Sequence, residues 1–149
     1  MSFRRNQSGA AVVEAALLFP LISVMCFGFV DGSMLLLQNH KIEQGLVAGA
    51  GYLARTQSPN TSLTQVRNYA VTGRPDGSGQ ARVAGWTPGD VTVTISTIAN
   101  NGNYRGTADV KIATVSTSMR YRGLGFVKLV SGGRAVISAR HEERLVRAS

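Results

Sequence analysis

The sequence predicts an α+β chain: a long N-terminal helix, apolar in its first half, followed by a small antiparallel β-rich domain. Three observations predict it. Residues 10–30 form an almost uncharged run, "AAVVEAALLFPLISVMCFGFV", broken only by Glu14. Residues 31–55 keep apolar side chains near i, i+3/i+4 and i+7. From residue 90 the period changes to two.

The uncharged run sets the first element. Its residues, 10 to 30, span about 31 Å at helical rise, which matches the hydrocarbon thickness of a bilayer. The preceding stretch, MSFRRNQSG (1–9), is short, polar and basic. Arg4 and Arg5 place the N-terminus in the cytoplasm by the positive-inside rule, and everything after Asp31 outside. Pro20 falls mid-segment, where a membrane helix tolerates it because neighbouring groups satisfy the freed carbonyl. The one cysteine, Cys26, lies inside this run. It has no partner for an intramolecular disulfide and reads as a small buried hydrophobe.

The helical pattern continues past the membrane boundary. Leu35, Leu36, Ile42, Leu46, Val47 and Leu53 carry the spacing, with Gln38, Asn39, Lys41, Glu43 and Gln44 between them. A helix over Ala10–Arg55 is about 69 Å long, and the apolar stripe on residues 31–56 needs a cover. Gly45, Gly49 and Gly51 each cost about 1 kcal/mol relative to Ala unless they are close-packing positions. "TQSPNTS" (56–62) ends the helix with Pro59 and small polar residues.

Residues 57–149 hold the mixed part. "LTQVRNYAVT" (63–72) reads as a short helix, and residues 73–90 carry too many Gly and Pro to assign. "DVTVTISTIAN" (90–100) alternates Val91, Val93 and Ile95 with Thr92, Thr94 and Ser96, the pattern of a half-buried strand. "NNGN" (100–103) supplies a turn, and residues 104–121 return as the second arm of an antiparallel hairpin. A third strand fits "RAVISARHEERL" (134–145), after a Gly-rich turn. Trp86, Tyr104, Tyr121 and Phe126 are candidates for core or interface, and exposed strand edges offer pairing sites to another subunit.

Composition narrows the function classes. Sixteen Lys+Arg against eight Asp+Glu give a net charge of +8, yet the basic residues are scattered and no nucleic-acid motif accompanies them. The reading is a solvated basic surface without specific nucleic-acid binding. The only histidines, His40 and His141, lie in no metal-binding spacing, and there is no G-x-S-x-G elbow. His40 reads as a solvated helix residue and His141, beside Glu142 and Glu143, as a solvated tail. Gly123 and Gly125 begin a glycine-rich pattern but lack the third glycine, so "GLGFVKLVSGG" reads as a turn between β segments. These features call for no catalytic residue, no metal and no cofactor.

The leader and the misplaced carboxylate carry a family resemblance. A basic leader, Gly9, small residues and a Glu five positions after that glycine resemble a type IV prepilin processing site. More narrowly, "GAAVVEAALLFPLI" followed by a long helix and a β-rich tail resembles the TadE-like minor pilins, or pseudopilins, of the tight-adherence system. The acid and glycine that this family carries after the span are Asp31 and Gly32, with Ser33 where Arg is usual. The resemblance implies a minor pilin or pseudopilin of a type IVc pilus or related secretion apparatus. It implies a prepilin-type leader over 1–9 and cleavage by a prepilin peptidase between Gly9 and Ala10. It further implies a single-pass protein of the bacterial inner membrane with a periplasmic C-terminal domain. Its partners would be other pilin subunits, the pilus assembly machinery and membrane lipid.

The resemblance also gives Glu14 a role. In hydrocarbon a carboxylate costs a few kcal/mol even on lenient scales. After cleavage, the Glu14 carboxylate of one subunit can meet the Ala10 ammonium of its neighbour, each stabilising the other's charged form. Glu14 is thereby an assembly register. Three alternatives compete. A plain signal anchor would hold an exported binding domain. A cleaved signal peptide would use Leu17–Val30 as its apolar core, but "VDG" at 30–32 is a poor cleavage site and Arg4–Arg5 lack the rest of a twin-arginine signal. The third, an exported enzyme, lacks a visible active-site constellation.

Overall fold

A computed structural model describes residues 7–55, 63–102, 104 and 109–145. Helix α1 runs unbroken from Gln7 to Arg55, 49 residues or about 74 Å. It continues through Pro20, which frees the carbonyl of Ala16 one turn earlier. Nearby, the Ser23 hydroxyl donates to the Phe19 carbonyl at 2.8 Å. The helix reaches the expected Arg55 and starts before the expected Ala10, while the break expected at 56–62 lies outside the described residues.

The two halves of α1 differ in what surrounds them. Over 10–30 no side chain is buried by the rest of the chain, and Val12, Leu17, Phe19, Phe27 and Phe29 project outward. Cys26 is exposed there too, not buried as its residue type suggested, because within this half another element comes close only at Gly28, against the Phe126 ring. From Asp31 onward a stripe turns inward: Asp31, Ile42, Gly45, Leu46, Gly49, Ala50 and Leu53 are buried, with Leu35 and Gln38 partly so. Leu36 and Val47, which the spacing placed in the stripe, are exposed. Each lies about 100° around the helix from a buried neighbour, beyond the reach of the narrow contact face.

Helix α2 (Leu63–Thr72) matches the expected range and covers the distal part of the stripe. Its small residues meet the glycines of α1. A Cβ on Gly45 would lie 2.5 Å from the Ala70 carbonyl oxygen and 2.7 Å from the Trp86 ring; one on Gly49 would lie 3.0 Å from the Ala70 Cβ. These two glycines are therefore close-packing positions, while Gly51 would meet only the Arg55 guanidinium, at 3.4 Å. The contrast gives a paired prediction. At the open helical site Gly32, with nothing within 4 Å, Gly→Ala should stabilise by up to ~1 kcal/mol through helix propensity. Gly45→Ala should instead destabilise by roughly 1–3 kcal/mol through overpacking. Thermal melts of the detergent-solubilised chain measure both, and equal signs would refute the packing account.

Residues 73–90, left unassigned from the sequence, form a loop that ends in a 3₁₀ turn at Pro88–Asp90. The Asp76 carboxylate caps the Ser78 amide at 2.9 Å within it. The loop delivers Val83 and Trp86 to the core. The buried Trp86 indole N–H donates to Thr117 Oγ1 at 3.0 Å, and that hydroxyl donates to the Asp90 carbonyl at 2.8 Å.

Strands β1 (Val91–Ile98), β2 (Val110–Arg120) and β3 (Val136–Leu145) form one antiparallel sheet in the order β1-β2-β3. Register places Val93, Val115 and His141 in one row, and Val91, Thr117 and Ala139 in the next. Alternation sends Val91, Val93, Ala113, Val115, Met119 and Ile137 into the core against α1 and α2. Thr92, Thr94, Ser116, Ser118 and Ser138 face outward by the same alternation. The hairpin turn expected at 100–103 is described at Asn100–Gly102, where Asn100 Oδ1 accepts from the Gly102 amide at 3.2 Å. Asn103 and the expected first part of the second arm, 105–108, lie outside the described residues.

Two readings are corrected. "GLGFVKLVSGG" contains a short helix, α3 (Phe126–Val130), between β2 and β3. Its N-cap, Gly125, takes the left-handed conformation at φ 111°, which a side chain would oppose. His141 is not in a solvated tail but on the inner side of β3, half-buried, 3.3 Å from Glu143. The strand continues to Leu145, whose buried side chain holds it on the core. His40 is exposed on α1, 3.7 Å from Glu43. Of the four aromatic candidates, Trp86 and Tyr121 are buried and Phe126 half-buried, whereas Tyr104 is exposed beneath the Arg144 guanidinium.

Candidate functional site

The first turns of α1 place Gly9, Ala10 and Glu14 in order along an exposed helix end. Nothing lies within 4 Å of where a Gly9 side chain would be. Ala10 and Glu14 are four residues apart and so share one face, one helical turn from each other. Glu14 is exposed among Val12, Val13, Leu17 and Leu18 and makes no hydrogen bond or ion pair with the described residues. Arg4 and Arg5 lie outside the described residues. Among the described residues the first half of α1 thus presents an apolar surface carrying a carboxylate, Glu14, without a partner.

The second carboxylate of α1 is treated in the opposite way. Asp31 is fully buried at the point where the bare half of the helix meets the head. The Tyr121 hydroxyl lies 2.6 Å from its Oδ1 and 2.7 Å from its backbone carbonyl. The Leu124 amide donates to Oδ1 at 2.8 Å and the Val127 amide to Oδ2 at 2.7 Å. One turn pair further on, Gln38 Nε2 donates to the Arg122 carbonyl at 2.7 Å. Asp31, Leu35 and Gln38 share one helix face, and the segment 121–127 wraps over it. The fit requires Gly123: a Cβ there would lie 2.0 Å from the Tyr121 hydroxyl and 2.2 Å from Asp31 Oδ1.

The hydrogen bonds outweigh burial in setting the charge state. The Tyr121 hydroxyl, and next the Val127 amide, hold the Asp31 carboxyl below its ordinary value of 3.8, against the opposing effect of desolvation. Burial, reinforced by the adjacent carboxylate, pushes the Tyr121 phenol up to about 12. Acid and phenol are thereby fixed as ionised acceptor and protonated donor. The sequence offered little that pointed to this latch. Asp31 stood out as an acid beside an apolar run, but no periodicity links it to Tyr121 and Leu124 some ninety residues away. Among the described residues, no group of three or more His, Cys, Asp or Glu is placed to hold a metal ion.

These features define a class: an α+β head built onto the distal half of one helix, whose proximal half is long and apolar enough to cross a membrane. The family model described as TadE-like protein matches residues 9–50, so that segment is similar to TadE-like proteins, as the pattern of the helix indicates. It contains Gly9, Ala10, Glu14 and Asp31, and stops short of α2 and the sheet. No curated protein and no solved structure matches the chain significantly.

Proposed function

We propose that this protein is a minor pilin or pseudopilin of a tight-adherence (type IVc) pilus or related secretion apparatus, acting through helix-mediated assembly rather than catalysis. The observation that carries the proposal is the TadE-like match on a helix whose first half is bare, apolar and marked by Gly9 and Glu14. In this reading residues 1–9 are a leader with Arg4 and Arg5 on the cytoplasmic side, and 10–30 cross the inner membrane. Residues 31–56 form a stalk helix, and 57–149 make up the periplasmic domain. The stalk is also a wall of the head, since its stripe is covered by α2 and the sheet of the same chain. A prepilin peptidase removes the leader, and the exposed helices of neighbouring pilin subunits then pack together.

Processing supplies the test. The mature chain is expected to start at Ala10, because the exposed Gly9 admits close approach of a peptidase to the backbone. N-terminal sequencing of membrane-extracted protein, made with and without the cognate peptidase, reads the result. A start at Ala10 only when the peptidase is present supports the proposal. An uncut chain in both cases leaves a plain signal anchor as the reading, and a start near Ser33 a secretory signal peptide.

A further inference from the structure

A second apolar surface lies beside the span and belongs to the head. In α3 and its flanks, Leu124, Leu129 and Val130 are 61, 80 and 75% exposed, a cluster in one short segment, whereas the other exposed large apolar side chains described for the head outside α1, Ile98, Tyr104 and Val136, are less exposed. The other side of α3 rests on α1. A Cβ on Gly28 would lie 2.8 Å from the Phe126 ring, and the Val127 amide is tied to Asp31. The depth of α3 along α1 is therefore fixed at residues 28–31, where the run 10–30 ends. If residue 30 marks the edge of the hydrocarbon, Gly28 and the ring against it sit about 3 Å inside.

Charge follows the same geometry. Residues 110–141 contain no Asp or Glu, and Arg122, Lys128 and Arg134 around α3 are exposed. Long basic side chains beside inserted apolar ones are the composition of an interfacial element, with stems in the acyl boundary and charges at the phosphates.

We propose that residues 122–134 form an interfacial foot, resting in the leaflet on the head's side of the bilayer that α1 crosses. Leu124, Leu129 and Val130 enter the acyl boundary, and Arg122, Lys128 and Arg134 meet anionic lipid phosphates. The foot rests on the reading of 10–30 as the membrane span. With it, the head is held at a fixed height and orientation, because the latch at Asp31 joins foot and helix rigidly.

Nitroxide quenching tests the foot with the full chain in phosphatidylethanolamine–phosphatidylglycerol vesicles. An environment-sensitive fluorophore is placed on Leu129→Cys in a Cys26→Ser background. The native Cys26 reports the span, and Ala99→Cys with Cys26→Ser reports the far end of the sheet, since Ile98 pairs with Val110 at the end opposite Arg120. Expected is strong quenching of the Cys26 label, about 6 Å inside the edge at residue 30, by nitroxides carried part-way down the acyl chain. The label at 129 should be strongly quenched by shallow nitroxide lipids, and the label at 99 by neither. Quenching at Cys26 without quenching at 129 overturns the foot and leaves the span intact. A label at 129 that is shielded only at high protein-to-lipid ratio and not quenched by lipid also overturns it, in favour of a second copy as the occupant. Loss of quenching at Cys26 removes both the span and the foot.

Discussion

Asp31→Ala should loosen the head from helix α1 and lower the melting temperature more than removal of the Tyr121 hydroxyl alone. The substitution removes the carboxylate that accepts from the Tyr121 hydroxyl and from the half-buried amides of Leu124 and Val127; the hydroxyl keeps the Asp31 backbone carbonyl, whereas the two amides lose their acceptor. Buried donors left without partners are more costly than the bonds they lose. Tyr121→Phe is the milder probe, since it deletes one hydroxyl and keeps the ring; a fall of roughly 5–10 °C is expected for a lost bond to a charged acceptor in a small domain. Gly123→Ala should resemble Asp31→Ala, because its Cβ overlaps both partners of the latch. Thermal melts of the full chain in detergent, followed by near-ultraviolet circular dichroism, measure all three. A Gly123→Ala melt equal to wild type would refute the geometry.

The pH dependence has a definite sign. A carboxyl whose folded value lies below 3.8 binds fewer protons folded than unfolded as pH falls past that value, so its stabilisation is present above about pH 4 and is lost as pH drops through the folded value. The phenol works in reverse. Raised to about 12, it contributes below its unfolded value near 10 and loses that contribution as pH climbs toward 12. The latch should hold a plateau between these limits. Asp31→Asn should flatten the acid limb of the melting curve, and Tyr121→Phe the alkaline limb.

Local pattern made most of the elements legible. The period of 3.6 in α1, the amphipathic α2 and the period-two runs of β1 and β3 each depend on residues a few positions apart, and each was found where the pattern placed it. The misreadings share another cause. Leu36 and Val47 satisfied the helical spacing, but the width of the buried stripe depends on what packs against it. The glycines around α3 suggest a turn because Phe126 and Val127 find partners far away in sequence, at Gly28 and Asp31 of α1. The latch itself escaped for the same reason. In the sequence Gly123 reads as part of a turn, whereas its lack of a side chain serves the close approach of Tyr121 to Asp31. By contrast, Gly9 and Glu14 stand out in the sequence because they lie within one short stretch, which is exposed in the structure and makes no contact with the head.

Glu14→Gln should give a chain that is made, inserted and cut, yet does not assemble. The two acids of α1 set up the argument. Asp31 is buried and its charge is met within the chain by a phenol and two amides. Glu14 has no such partners among the described residues and stands on a helix surface of Val, Leu and Phe. A carboxylate at such a depth is costly alone, so if it were merely tolerated, its removal would be neutral or would favour insertion. If instead it meets the Ala10 ammonium of a neighbouring subunit, Glu14→Gln leaves that cation unpaired between packed helices. Breaking a buried pair from one side costs on the order of 3–5 kcal/mol, and less where water reaches it, which is enough to empty a contact that recurs at each subunit. The bond at Gly9–Ala10 is untouched, so peptidase cleavage continues. Subunit crosslinking in membranes, with the mature N-terminus sequenced from the same sample, separates the two accounts. Normal maturation with crosslinking reduced several-fold is the expected result, and Glu14→Asp should recover part of it by restoring the charge on a shorter arm. Undiminished crosslinking of a fully matured Glu14→Gln chain would show that the carboxylate registers nothing and that packing of the apolar faces alone joins the subunits.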